Sequence, residues 1–198
     1  MKELLTHSRM ACFKECRKKH AYSYEMGLRR IDDSRALRMG SAFHDGIAAL
    51  TPEWVDDATN PQAAMAEVLS DTLADACNAI AAHYAHCPQQ FDQWEWDIEH
   101  ETIRRLVCAY HWRWKDSGIT NIKTEFAFQL PLVNPETGKS TPVFDLAGKI
   151  DGIVRLEDGR LAVKETKTIG EDIGSDSPLW RRLRMDHQIS LYINAARR

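Results

Sequence analysis

The stretch Gly148-Lys149-Ile150-Asp151-Gly152-Ile153-Val154-Arg155-Leu156-Glu157-Asp158-Gly159-Arg160-Leu161-Ala162-Val163-Lys164-Glu165-Thr166-Lys167 decides the reading of this chain. Two runs rich in branched apolar residues flank Asp158-Gly159, a strong two-residue hairpin signal, so the segment reads as two antiparallel strands. Residues two apart on a strand share a face. Glu165 and Lys167 therefore point the same way, and the hairpin can bring Asp151 beside them. Singly, each has a plain explanation: Glu165 and Lys167 as a solvated strand face, Asp151-Gly152 as a turn or bulge. Jointly they put two carboxylates and an ammonium among Leu146, Ile150, Ile153, Leu161 and Val163, where unpaired charge is costly.

Upstream, the strand pattern continues through Ile122 to Leu130, with Asn134-Pro135-Glu136-Thr137-Gly138 as a turn and Val143 to Leu156 as the next strand region. Downstream, Ile169 to Pro178 is rich in Gly, Ser and Asp and reads as a loop, and a last helix from about Leu179 carries Leu183, His187, Gln188, Leu191 and Tyr192 to Arg198. The first 118 residues read as helices: Ser34 to Leu50, stopped by Thr51-Pro52; a helix opened by Pro61 and running toward His86; and about Trp96 to Trp114, with Ile98, Ile103, Leu106, Val107 and Tyr110 at helical spacing, closed by Ser117-Gly118. The expected fold is α/β, a central mixed sheet flanked by helices with an N-terminal helical lobe over residues 1–118 and the sheet and following helix over 119–198, in a single domain.

At 198 residues, with 43% hydrophobic and 28% charged side chains, the chain has the composition of an ordinary globular protein. No apolar run approaches a membrane span and Met1-Lys2-Glu3-Leu4 opens no signal peptide, so the expected compartment is the cytoplasm, with no membrane partner. Cys12, Cys16, Cys77, Cys87 and Cys108 are odd in number and scattered, which argues against a disulfide framework. The net charge of -3 argues against coating nucleic acid by bulk electrostatics, yet Lys14, Arg17, Lys18, Lys19, Arg29 and Arg30 form one basic segment. Arg181, Arg182, Arg184, Arg197 and Arg198 form another. If the fold brings them together they make a phosphate-facing surface; singly, each residue reads as a solvated helix face.

A glycine followed four residues later by histidine (Gly40, His44), then Asp151, then Glu165-Thr166-Lys167, then Gln188-Ile189-Ser190-Leu191-Tyr192 occur in that order. In this the chain resembles the PD-(D/E)XK nucleases, specifically their RecB-like and phage-type exonuclease branch. The opening Cys16-Arg17-Lys18-Lys19-His20-Ala21-Tyr22 is similar to that branch's start, and Thr51 to Gly118 is the least diagnostic part. The resemblance implies a restriction-endonuclease-like core and a metal-dependent DNA nuclease, an exonuclease of phage or bacterial recombination or repair. It implies catalytic Asp151, Glu165 and Lys167, with Asp151, Glu165, the Thr166 carbonyl and His44 as metal ligands, and Glu125 completing the cluster. Mg²⁺ suits such carboxylates, and a histidine ligand makes Mn²⁺ well accepted. Gln188 and Tyr192, one helical turn apart, would contact DNA or support the site, with Arg181, Arg182 and Arg184 near the mouth of a DNA-admitting cleft.

The chain departs from the branch in one respect. Relatives with an iron–sulfur cluster use one cysteine near the N-terminus and three after the Gln-x-x-x-Tyr helix; Cys16 has the first place, but only Ile193 to Arg198 follow that helix, so no cluster is expected. The same ending implies a chain shorter than its relatives, lacking a final strand. A homo-oligomer or a recombination or helicase partner remains open. Two rival functions exist: a catalytically inactive nucleic-acid-binding module of the same fold, which has no need of the Asp151, Glu165 and Lys167 triad, and a different metal-dependent hydrolase using His44 with His83, His86 or His187, whose spacing is not that of a zinc site.

Overall fold

The Arg38 to Leu50 stretch alternates apolar and polar residues at helical spacing, and in the computed structural model it becomes the central helix of the larger of two compact units. The structure describes residues 2–31, 33–50 and 61–197, with only the backbone over 61–71. The Thr51-Pro52 stop and Arg198 lie outside the described residues. In chain order the elements are β1 (Glu3–Leu5), α1 (His7–Glu15), α2 (Arg17–His20), a π-helical turn (Ala21–Glu25), α3 (Arg35–Leu50), α4 (Pro61–His83), α5 (Gln93–Trp114), β2 (Thr120–Val133), β3 (Ser140–Arg155), β4 (Leu161–Lys164), α6 (Pro178–Arg184) and α7 (His187–Ala196). The sheet runs β1-β3-β2, with β4 also pairing to β3. It is mixed: β1 lies parallel to β3 at Glu3↔Phe144, and β4 antiparallel to it at Gly152↔Lys164. The chain is thus a mixed α/β protein with a central sheet flanked by helices. None of the described helices is long and apolar enough to cross a membrane.

One unit comprises residues 33–125 and 151–168. Its core joins Ala42, Phe43, Ile47 and Leu50 of α3 to Ala76 and Ile80 of α4 and to Trp96, Ile103 and Val107 of α5. A Cβ at Gly46 would lie 3.0 Å from Ile80 and 3.1 Å from Val107, so glycine sets how closely α3 approaches its neighbours. The Ser34 hydroxyl caps α3 by accepting from the Leu37 amide, and the Asp92 carboxylate caps α5 by accepting from Glu95. Across the core the Arg38 guanidinium donates to both Glu99 oxygens, at 2.7 to 3.0 Å, and stacks on Trp96 and Phe91. Both partners are buried, so the pair fixes α3 against α5.

The other unit comprises residues 1–32, 126–150 and 169–198. Lys2 pairs with Asp145, to which Gln129 also donates. Phe128 meets Tyr192 edge to face, and Gly148 is bare because a Cβ there would lie 2.8 Å from the Phe128 ring and 3.1 Å from the Tyr192 ring.

Four local expectations change. β1 is an unforeseen strand in the N-terminal half: three residues are too few for an alternating pattern to show. The β3–β4 connection uses three residues rather than two, because Leu156 and Arg160 still pair and Gly159, at φ 84°, takes the left-handed position that ends the turn. β4 stops at Lys164, before Glu165 and Lys167. The last helix is two, since the α6 chain ends at Arg184 and Asp186 caps a fresh helix by accepting from the Gln188 amide.

Candidate metal centre

Asp151 follows Ile150, which is fully buried on the opposite face of β3, so strand alternation turns its carboxylate to the other side. The register Gly152↔Lys164 is the last ladder pair in this direction. Beyond it the Thr166 amide donates to Asp151 Oδ2 at 2.8 Å. A side-chain carboxylate thus takes the place of the next ladder bond, and the Glu165-Thr166-Lys167 segment is held beside Asp151 although it is no longer strand. His44, from α3, brings Nδ1 to 3.6 Å from the same Asp151 oxygen.

Glu125 arrives from β2 in an unusual way. Its φ is 54°, the only positive value among the described non-glycine residues. Such a backbone costs on the order of 1 kcal/mol or more in a residue with a Cβ, and it persists where surrounding structure enforces it. Ligand atoms of His44, Glu125 and Asp151 all lie within 4.8 Å of one another, and all three residues are half-buried. Among the described residues this is the one such group of three.

Glu165 adds an incompletely satisfied carboxylate. Lys167 Nζ donates to its Oε1 at 2.8 Å, while Oε2 is buried with no partner. Burial pushes its pKa up; the Lys167 hydrogen bond opposes that, and the Asp151 charge reinforces it. Lys164 turns to the other side of the hairpin arm, where it donates to Asn121 Oδ1 at 3.2 Å. Burial lowers its pKa, against the pull of Asp151 and Glu125. Tyr110, on α5, completes the surroundings: burial raises its phenol pKa, hydrogen bonding to Thr166 lowers it, and the nearby Asp151 raises it. An N,O,O donor set, a further carboxylate with a bare oxygen and an ammonium suit a hard divalent cation with part of its shell left open.

Of the residues anticipated from sequence, His44, Glu125, Asp151, Glu165, Thr166 and Lys167 all fall in this one unit and around this group. Gln188 and Tyr192 belong to the other unit, where Gln188 Nε2 donates to the Tyr192 hydroxyl at 2.9 Å and Tyr192 is buried. Arg181, Arg182 and Arg184 lie on α6 of that unit, with Arg182 held by Glu171. His83 Nε2 donates to Asp45 Oδ2 at 2.7 Å and is not in the group of three. From sequence, Asn121 and Lys164 carry no signal of a role, and Tyr110 has only a place on a helical apolar stripe. Tyr110 is indistinguishable there from a core residue on the apolar stripe of α5, and Lys164 from a strand lysine.

Comparison with known families agrees with this geometry. The model of the PD-(D/E)XK nuclease superfamily matches residues 4–198. The chain therefore belongs to the PD-(D/E)XK nuclease superfamily, a class of metal-dependent nucleases. Comparison with curated protein sequences finds no match.

Proposed function

We propose that the protein is a metal-dependent deoxyribonuclease, an exonuclease of phage or bacterial recombination or repair, in which His44, Glu125, Asp151, Glu165 and the Thr166 carbonyl hold Mg²⁺ or Mn²⁺. The convergence of His44, Glu125 and Asp151 within 4.8 Å, beside the bare Oε2 of Glu165, carries this reading. When bound, the cation neutralises charge on the phosphoryl oxygens and lowers the pKa of water. The chain's own residues do the rest. Lys167, steadied by Glu165, orients the attacking water; the water oxygen bonds to phosphorus and gives up a proton to solvent, while the bond from phosphorus to a sugar oxygen breaks and that oxygen takes a proton from solvent. Asp151 holds the Thr166 amide and thereby fixes the loop that carries Glu165 and Lys167. Gln188 and the α6 arginines contact DNA or support the site, and the buried Tyr192 positions Gln188 through its hydroxyl. The exonuclease assignment and its setting rest on the branch resemblance of the motifs.

The test is cutting of end-labelled linear and of circular DNA with Mg²⁺, Mn²⁺ or EDTA, by the parent chain and by Asp151→Ala and Lys167→Ala. Metal-dependent cutting lost in both variants, with circles spared, is the expected result. Cutting of circles makes the enzyme an endonuclease. A folded parent that neither cuts nor binds Mn²⁺ overturns the catalytic reading and leaves a nucleic-acid-binding module.

A further inference from the structure

The loop before α6 is built around one indole. Trp180 donates its ring N–H to the carbonyls of Gly174 at 3.0 Å and Ile173 at 3.3 Å. The loop is closed on itself as well: Ser177 Oγ donates to the Asp172 carbonyl at 2.6 Å, and the Gly174 amide donates to Asp172 Oδ1. An aromatic ring anchored this way has a fixed orientation, yet Trp180 remains 44% exposed. Its polar atom is satisfied, and much of the side chain remains open to solvent. That is the condition of a stacking platform rather than of a core residue.

The platform borders a cavity of about 670 Å³, walled by Ile173, Leu183 and Ile189 and edged by Arg184 and Ser190. Two charged groups line it. Asp186 is occupied: it accepts from the Gln188 amide at 2.8 Å and lies 3.4 Å from His7 Nε2. Arg184 makes no ion pair among the described residues, in contrast to its neighbour Arg182, which is bound to Glu171. The lining thus offers an aromatic face, apolar walls, a hydroxyl and a cation without a counter-ion. A flat heteroaromatic group carrying a negative charge matches all four.

We propose that Trp180 and Arg184 form a nucleotide subsite that holds single-stranded DNA, with one base stacked on the indole and its phosphate on the guanidinium. The inference rests on the reading that the protein acts on DNA. A paired base has its face covered by its neighbours, so the subsite takes an unpaired strand and ignores a duplex.

The experiment is fluorescence anisotropy of fluorescein-labelled (dT)12 with the full chain in EDTA, which stops cutting. An abasic strand of the same length and a duplex of the same length are the controls. The parent is expected to bind (dT)12 about tenfold more tightly than the abasic strand. Trp180→Ala loses that difference, and Trp180→Phe keeps most of it, since phenyl still stacks. Arg184→Ala weakens (dT)12 and abasic binding alike and flattens the salt dependence, and duplex binding does not respond to Trp180→Ala. Equal parent affinity for (dT)12 and the abasic strand overturns the proposal without any variant, as does absence of single-strand binding. Cutting with metal, scored on the same preparations, separates the two readings. Base-dependent binding without cutting removes the nuclease reading and leaves the subsite; cutting with base-independent binding does the reverse.

Discussion

Helix α3 carries two charge clusters six residues apart, one around Arg38 and one around His44. At the first, Glu99 meets both Arg38 and Arg35, and the Arg38 guanidinium is sandwiched against Trp96 and Phe91. The two buried charges, Arg38 and Glu99, complement each other, and the second cation, Arg35, is largely exposed to solvent. At the second, three carboxylates (Glu125, Asp151, Glu165) gather with one histidine and Lys167, one carboxylate oxygen is buried with no partner, and Glu125 sits on a strained backbone. A cluster that exists to hold the fold closes its own charge balance, because an uncompensated buried charge costs several kcal/mol. A cluster that stays unbalanced and strained in a folded chain is kept so by something other than stability.

The largest expected effect tests that asymmetry directly. Asp151→Ala should lower metal-dependent DNA cutting by on the order of a thousandfold, since several kcal/mol of transition-state stabilisation depend on the site. The same change should leave metal-free thermal stability nearly intact, because it relieves like-charge crowding as it removes the Thr166 bond. Glu99→Ala should do the opposite. Leaving Arg38 buried without its partner costs about 3–5 kcal/mol, which lowers the melting temperature by about 10 °C in a chain of this size. A Glu99→Ala protein as stable as the parent breaks the comparison.

Added metal sharpens it further. Mn²⁺ at about a hundred times its dissociation constant should stabilise the parent by about 2.7 kcal/mol, read as a shift in thermal midpoint. Glu125→Gln with His44→Ala should abolish that shift. A midpoint that rises equally in this double variant would place the metal elsewhere.

Acidity provides the next test. Burial raises the Glu165 pKa in the folded chain above its unfolded value, so the folded state holds this proton the more tightly. Its contribution to stability is complete below the unfolded pKa and is lost as pH rises through the folded one. Glu165→Gln, which mimics the protonated form, should therefore gain in metal-free stability relative to the parent as pH climbs above the ordinary carboxylate range of about 4. Metal binding must displace the same proton, so parent affinity for Mn²⁺ should fall as pH drops through that window. A stability difference that is flat in pH removes Glu165 from the unbalanced set.

Much of the second cluster could be read from sequence and little of the first. Asp151, Glu165 and Lys167 announce themselves through the hairpin pattern and the order of the family motifs, although Glu165 and Lys167 lie past the end of β4 and are held beside Asp151 by the Thr166 amide rather than by strand alternation; His44 stands out because it follows Gly40 by four residues in that same order. The Arg38–Glu99 pair spans 61 residues of sequence. Neither residue departs from what a solvated helix face would carry, so only the tertiary packing reveals that they are buried. The positive φ of Glu125 is equally silent: nothing in Thr124-Glu125-Phe126 distinguishes a strained strand residue from a relaxed one, and only the surrounding fold imposes it. β1 and the break between α6 and α7 were missed for a different reason, being set by three residues of pairing and by one capping aspartate.

The smallest expected effect concerns the helix that serves both clusters. α5 gives Glu99 to the balanced one and, three turns later, Tyr110 to the surroundings of the unbalanced one. Tyr110 packs edge to face on Phe43, the residue before His44, and its hydroxyl reaches Thr166, the residue between Glu165 and Lys167. It therefore ties the position of α3 to that of the Glu165-Thr166-Lys167 segment. Tyr110→Phe keeps the ring contact and deletes the hydroxyl, at a cost of about 1 kcal/mol. If Tyr110 positions the site, that loss should surface mainly as a severalfold drop in kcat for metal-dependent cutting, with KM for DNA and the thermal midpoint little changed. If it belongs with Arg38 and Glu99 as a support of the fold, the midpoint falls and kcat holds. The same measurement on Tyr110→Ala, which also removes the ring from Phe43, should lower both.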